Sequence, residues 1–294
     1  MNPPEPMLLR SVLYMPASNP RALAKARTLD CDAVALDLED AVAPEAKPAA
    51  RAALAADVRA GGFGHRRVIA RINALATPWG HADLAALAQV PITALLVPKV
   101  ADAPDIVALS AAMDAAGYPA HVALWVMIET PRAVLAIERI AAAAATTRLT
   151  ALVLGLNDLA KDTGIVQAPG RAPFVPVLVN TVLAARSHGL IALDGVCNAI
   201  DDFARIEAEC AQARDFGFDG KTLIHPAQIA SANRLFAPSP ADLASAQAIV
   251  AAFADPANAG KGALKVAGQL VEVLHRDSAA RLIATAAAIA AREG

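Results

Sequence analysis

The chain of 294 residues is 56% apolar and only 4% aromatic, with a formal net charge of −2. That length means one large domain or two small ones with ample room for a core, and the near-neutral balance excludes the basic field that nucleic acid or anionic lipid would need. No apolar run is long and pure enough to span a membrane, the proline-rich start MNPPEPMLLR does not read as a signal peptide, and Cys31, Cys197 and Cys210, odd in number and without metal-like spacing, read as reduced, buried thiols of a cytoplasmic protein.

Short runs rich in Val, Ile and Leu recur in chain order: SVLYMPA, AVALDLED, RVIARINAL, ALLVPKV, HVALWVMIET, LTALVLGLND, LIALDGVCN and KTLIHPAQ. Between them lie alanine-rich stretches with helical spacing, such as NPRALAKARTL, PEAKPAARAALAADVRAGG, DAPDIVALSAAMDAAG and IDDFARIEAECAQARDFG. Several begin with Asp, Asn or Pro and stop at Gly, as helix ends prefer. Strands apolar on both faces and alternating with helices predict a parallel sheet. Eight such units predict an α/β fold of the (β/α)8 TIM-barrel type. A doubly wound sheet fits less well, because no glycine-rich phosphate loop follows the first strand. The rhythm changes after residue 230. Residues 1–235 read as the barrel, and 236–294 as its last helix plus a C-terminal helical arm or lid that includes DPANAGKGALKVAG.

The ends of the predicted strands are polar, and active sites of such barrels sit there. Glu39 and Asp40 follow the second run, Arg71 and Asn73 lie late in the third, and Lys99 ends the fourth. Glu129 ends the fifth, Asn157 and Asp158 follow the sixth, Asp194 and Asn198 lie in or after the seventh, and His225 ends the eighth. Each acid alone could cap the next helix. Four carboxylates on one rim (Glu39, Asp40, Glu129, Asp158) are better explained by a shared cation, since they repel each other otherwise. With no His or Cys beside them, all-oxygen ligation selects Mg2+ or Mn2+ over zinc. Arg71, inside a buried strand, needs an anionic partner. That partner is Glu39 or Asp40, a substrate carboxylate gripped bidentately, or both at once. Lys99 reads as a protonated cation beside the acids rather than a Schiff-base lysine. His225 is open between a structural hydrogen bond and a ligand contact.

Taken in order, the strings SVLYMPASNPRALAKA, ALDLEDAVAPEAKPAAR, RINAL, VPKV, IETPRAV, LGLNDLAKDTG and GKTLIHPAQI resemble the citrate lyase beta subunit and malyl-CoA lyase family within the HpcH/HpaI aldolase superfamily. LDLEDAVAP alone also resembles the phosphoenolpyruvate mutase and isocitrate lyase superfamily, but the other strings do not. The resemblance implies a TIM barrel assembled as a homotrimer or hexamer. It implies Mg2+-dependent cleavage or formation of a C–C bond in a 3-hydroxyacyl-CoA, with a 2-oxo acid and an acyl-CoA as products. Glu129 and Asp158 would be the metal ligands, and Arg71 would hold the oxo-acid carboxylate. Tyr14, Lys25, Ile224 and His225 would line the coenzyme A path, with Asn157 on the substrate side. Glu39 and Asp40 would contact waters on the ion or orient Arg71.

Two departures stand out. Related lyases carry an aspartate on a C-terminal lid that covers a neighbouring subunit's site, and here Glu272 stands at that place as the expected catalytic acid–base group. Several relatives have an arginine near the first strand where this chain has Asn19, with Arg21 and Lys25 nearby. The leading expectation is an acyl-CoA lyase acting on malyl-CoA, methylmalyl-CoA or citramalyl-CoA. Alternatives are a malyl-CoA thioesterase on the same scaffold, a citrate lyase subunit acting on an acyl-carrier-protein thioester, and a metal-dependent aldolase of free 2-oxo acids.

Overall fold

The computed structural model describes residues 7–293. The signal-peptide reading of the N-terminal segment falls partly on residues 1–6, which lie outside the described residues. In chain order the elements are β1 (Ser11–Pro16), α1 (Pro20–Ala26), β2 (Ala33–Asp37), α2 (Lys47–Ala60), β3 (Arg67–Arg71) and α3 (Gly80–Leu87). β4 (Ala94–Val97), α4 (Ala103–Ala115), β5 (Ala123–Ile128), α5 (Pro131–Leu135), α6 (Ile137–Ala142), β6 (Leu149–Leu154) and α7 (Leu156–Thr163) follow. Then come α8 (Val175–Ser187), β7 (Ile191–Asp194), α9 (Phe203–Phe216), β8 (Gly220–Leu223) and α10 (Ile229–Phe236). The eight strands are parallel and close on themselves in sequence order, the TIM barrel expected from the alternating runs.

Helix ends follow local chemistry. Asn19 opens α1 by accepting from the Arg21 and Ala22 amides at 3.0 and 3.2 Å. Asp102 and Asp105 form a capping box on α4. Gly164 and Gly217, at φ +75° and +94°, close α7 and α9 in the left-handed region. Among the described residues no helix is long and apolar enough to cross a membrane.

Two compact units divide the chain, residues 9–233 and a second made mainly of residues 234–293. In the first, the barrel interior is built with period two. Val12 and Tyr14 of β1, Ala33 and Ala35 of β2, Ile69 of β3, Leu96 of β4, Trp125 and Met127 of β5, and Ala151 and Val153 of β6 fill it. Extending each alternation by one step reaches Asp37, Arg71, Glu129 and Gly155. The polar strand ends are thus the uppermost layer of the same inward face, which explains why apolar strands finish in charged residues.

A second ionic cluster, not anticipated in the sequence, locks β7 to β8. Lys221, fully buried, donates to Asp194 at 2.7 Å and lies 3.4 Å from Glu209 of α9. The Arg171 Nη1 bonds both Asp194 oxygens at 2.8 Å, and Arg205 pairs with Glu209 at 3.1 Å. Asp194, a rim candidate by position, is thereby committed to structure. Removing one partner of a buried pair strands the other. Lys221→Met is expected to destabilise the protein by about 3–5 kcal/mol in urea unfolding. A loss below about 1 kcal/mol, the range of surface pairs, would show the cluster to be dispensable.

In the second unit, α11 (Pro240–Ala254) starts at a Ser239–Asp242 capping box and packs along α12 (Val273–Glu293). β9 (Ala263–Val266) and β10 (Gln269–Glu272) form an antiparallel hairpin. Its two turn residues, Ala267 and Gly268, both have positive φ (47° and 85°), as the tightest hairpins require. Glu272, the last residue of β10, is exposed, and its amide donates to His275 Nδ1 at 2.9 Å.

Candidate active site: an acid-rich barrel mouth

Strand register builds the site. Asp37 and Arg71 are direct partners across β2 and β3. Asp37 takes the side-on edge of the guanidinium, with Nε donating to Oδ1 at 2.7 Å and Nη2 to Oδ2 at 2.6 Å. Glu39 and Asp40, in the loop after β2, approach Nη1 at 2.9 and 3.4 Å. The sequence reading paired Arg71 with Glu39 or Asp40. The stronger partner is Asp37, because it stands opposite Arg71 on the neighbouring strand while the other two follow one turn later. Arg71 is only 7% exposed, and with Asp37 along its side-on edge a further carboxylate would have to approach the end-on edge beside Glu39 and Asp40. The Tyr14 ring lies over the guanidinium, 4.6 Å from its centre, a cation–π contact.

On the other side of the mouth, Glu129 follows β5 and is 1% exposed. Its Oε1 accepts from the Lys99 amide at 2.7 Å, while its Oε2 is buried without a hydrogen-bond partner. Lys99 has φ +59°, a left-handed conformation unusual for a side chain of this kind. Its ammonium bridges Asp158 (2.6 Å) and Glu129 (3.4 Å). The expectation of a protonated lysine among carboxylates matches this contact. Burial pulls the Lys99 amine down, but the Asp158 hydrogen bond and the Glu129 charge outweigh it and hold it above its usual range.

Five carboxylates here face two cations, and the imbalance is visible in their protonation. Burial pushes Glu39 up to about 8; Arg71 opposes the shift, and Asp40, Glu129 and Asp37 add to it. Arg71 fails to hold Glu39 down because its side-on edge belongs to Asp37, and Glu39 Oε2, although near Nη1, is not in hydrogen-bonding geometry. Burial likewise pushes Glu129 up to about 7, with Lys99 opposing and Asp158 adding. Burial pushes the Tyr14 phenol well above its ordinary range, so it keeps its proton. Its hydroxyl oxygen is buried without a hydrogen-bond partner, a condition worth about 1–3 kcal/mol of instability.

These features suit a hard divalent cation. Glu129 offers an unpartnered buried oxygen, Asp158 a second carboxylate within reach of the same ammonium, and every donor is oxygen. Among the described residues no group of three or more His, Cys, Asp or Glu is arranged to hold a metal. Two carboxylates with water and substrate in the remaining positions would suit Mg2+.

The sequence reading missed Gly155. A Cβ there would lie 2.5 Å from Glu129 Cβ and 2.6 Å from Oε2, because Ile128 and Leu154 are register partners and the next residues meet side by side. Only the absent side chain lets Glu129 occupy its position.

Other predicted residues lie further out on the same rim. The Asn157 and Asn198 amides bond each other, at 2.7 and 3.2 Å, and Gln167 donates to Asn157 at 2.9 Å. Ile224 and His225 are exposed after β8, and their amides donate to the buried Gln228. His225 Nδ1 accepts from the Ala227 amide at 3.3 Å, which makes it a cap with its ring turned to solvent. Lys25 is exposed on α1. The three cysteines are buried, as expected.

The chain is similar to known proteins over nearly its whole length. The chain is 46% identical over 282 residues to a (3S)-malyl-CoA thioesterase of Cereibacter sphaeroides, with 96% of each chain covered. It is 32% identical to the L-malyl-CoA/beta-methylmalyl-CoA lyase of Rhodobacter capsulatus, covering 92% of both. Among solved structures it resembles CitE of Mycobacterium tuberculosis in complex with magnesium, acetoacetate and coenzyme A, with TM-score 0.75, 31% identity, and 94% and 97% of the two chains covered. The profile of the HpcH/HpaI aldolase/citrate lyase family matches residues 10–226, the length over which the barrel and its acid-rich mouth are built, and the chain belongs to that family.

Proposed function

We propose that this chain is a Mg2+-dependent thioesterase that hydrolyses a 3-hydroxyacyl-CoA of the malyl-CoA type to the free acid and coenzyme A. The observation that carries the choice of hydrolysis over C–C cleavage is the 46% identity over nearly the whole chain to a protein named for that hydrolysis, against 32% to one named a lyase. Glu129 and Asp158 would hold the ion, which supplies Lewis-acid polarisation of substrate oxygens. The end-on edge of Arg71 grips the substrate carboxylate and fixes its direction. Asn157 presents its amide to the substrate from the rim. Lys25, Ile224 and His225 line the path of the coenzyme A moiety, and Asp40 helps hold Arg71 in place. Assembly into a homotrimer or hexamer is part of the same reading.

Hydrolysis needs a base for water, and Glu39 is suited to it. Its Oε2 has no hydrogen-bond partner, and its affinity for a proton lies near physiological pH. The base must be ionised, and its folded pKa is raised to about 8. The hydrolysis rate is therefore expected to rise with pH through the neutral range and level off near that value. Glu39→Gln should remove this limb and lower kcat by about 10²-fold or more. An unchanged pH profile in the variant would assign the limb to another group.

A second reading, C–C cleavage with Glu272 moving the proton, is favoured by the lyase relative and the exposed carboxylate at the end of β10. Incubation with Mg2+ and malyl-, methylmalyl- and citramalyl-CoA, following free thiol and free 2-oxo acid separately, decides between them. Thiol without oxo acid is the expected result. Oxo acid without thiol, lost in Glu272→Ala, would establish the lyase.

A further inference from the structure

The barrel mouth holds three of the four buried side-chain oxygens that have no hydrogen-bond partner among the described residues: Tyr14 OH, Glu39 Oε2 and Glu129 Oε2. The fourth, Asp57 Oδ2, belongs to a residue paired with Arg27. The two carboxylate oxygens accept when ionised, and each has a task in the reading above. Tyr14 is different. The residue is only partly buried, its ring face is pinned by the Arg71 guanidinium at 4.6 Å, and its hydroxyl oxygen is buried. The Arg71 and Lys99 side chains already donate to Asp37 and Asp158. The Tyr14 hydroxyl is a buried donor whose acceptor is absent from the protein itself.

Resting on the reading above, we propose that Tyr14 is a catalytic hydrogen-bond donor to the thioester carbonyl oxygen of the substrate. With the substrate carboxylate held by Arg71 and its hydroxyl end directed to Glu129 and Asp158, the thioester carbonyl is the remaining oxygen that needs a donor. In hydrolysis the oxygen of water bonds to the thioester carbon, and the C=O pair moves onto oxygen as that carbon becomes tetrahedral. The pair returns as the C–S bond breaks. Glu39 takes the water proton and passes it to the departing thiolate, leaving the free acid and coenzyme A. In C–C cleavage the same oxygen becomes the enolate oxygen. One donor aimed there serves either outcome, because negative charge develops on the same atom.

Tyr14→Phe keeps the ring and its contact with Arg71 and removes only the hydroxyl. Its kcat for the wild-type reaction, whether thiol or oxo acid is released, is expected to fall about 10²-fold or more with KM little changed. Its melting temperature should be equal or higher, because an unsatisfied buried group has gone. A merely structural tyrosine would behave otherwise. A lowered melting temperature with kcat per folded molecule unchanged overturns the assignment. So does an active wild type whose Phe variant keeps kcat within roughly threefold, far short of a lost oxyanion donor. A wild type that releases neither product from malyl-CoA would overturn the reading above and this assignment with it.

Discussion

Arg71→Lys should leave a folded protein with kcat/KM reduced by about 10³-fold, a loss of roughly 4 kcal/mol in transition-state stabilisation. Lysine keeps the charge that Asp37 needs but has no planar fork. It cannot serve Asp37 along one edge, at 2.6 and 2.7 Å, and a substrate carboxylate along the other. Arg71→Met is the complementary case. It removes the charge as well, leaving the buried Asp37 uncompensated, and is expected to destabilise the protein by about 3–5 kcal/mol. Urea unfolding of both variants beside their kinetics separates the two duties. A lysine variant with near-normal kcat/KM would show that the substrate carboxylate is held elsewhere.

Glu129→Gln is the second large effect. The amide keeps the Oε1 bond from the Lys99 amide and fits the space left by Gly155, but it loses the anionic oxygen offered to the ion. Activity is expected to fall by about 10³-fold, since Lewis-acid polarisation supplies several kcal/mol. Thermal unfolding gives an independent readout. Wild-type protein should gain melting temperature as Mg2+ is added, because an ion that binds only the folded state stabilises it by mass action. The variant should not respond. In metal-free buffer it should be at least as stable as wild type, because an amide avoids the desolvation that burial imposes on the Glu129 carboxylate. A variant that keeps the full Mg2+-induced shift would place the ion away from Glu129.

Much of this arrangement is written in local sequence. The alternation Ala33, Ala35, Asp37 and the run Trp125, Met127, Glu129 carry the barrel and the inward direction of its last polar layer in their own spacing. Glu39, Asp40 and Asp158 were legible by another route, since each lies within four residues after a strand that the apolar runs mark. What escaped depends on relations between strands. Asp37 became the main partner of Arg71 through the register of β2 with β3, and Gly155 mattered only because β6 places it against Glu129. The Lys221, Asp194, Arg171 and Glu209 cluster joins residues from four segments, and no single stretch announces it. Tyr14 was expected on the coenzyme A path from the resemblance alone, whereas its unpartnered hydroxyl is a property of packing.

The proposed hydrolysis and the alternative C–C cleavage would use one site, and sequence similarity favours the first. Hydrolysis and C–C cleavage place charge on the same thioester oxygen and differ in which atom attacks or leaves. The most direct test is turnover of (3S)-malyl-CoA with Mg2+ in water enriched in oxygen-18, with mass analysis of every product. Hydrolysis at this carboxylate-lined mouth predicts malate with one labelled carboxylate oxygen, free coenzyme A in equal amount, and both formed about 10³-fold more slowly with Glu129→Gln. Glyoxylate and acetyl-CoA in place of labelled malate would contradict it.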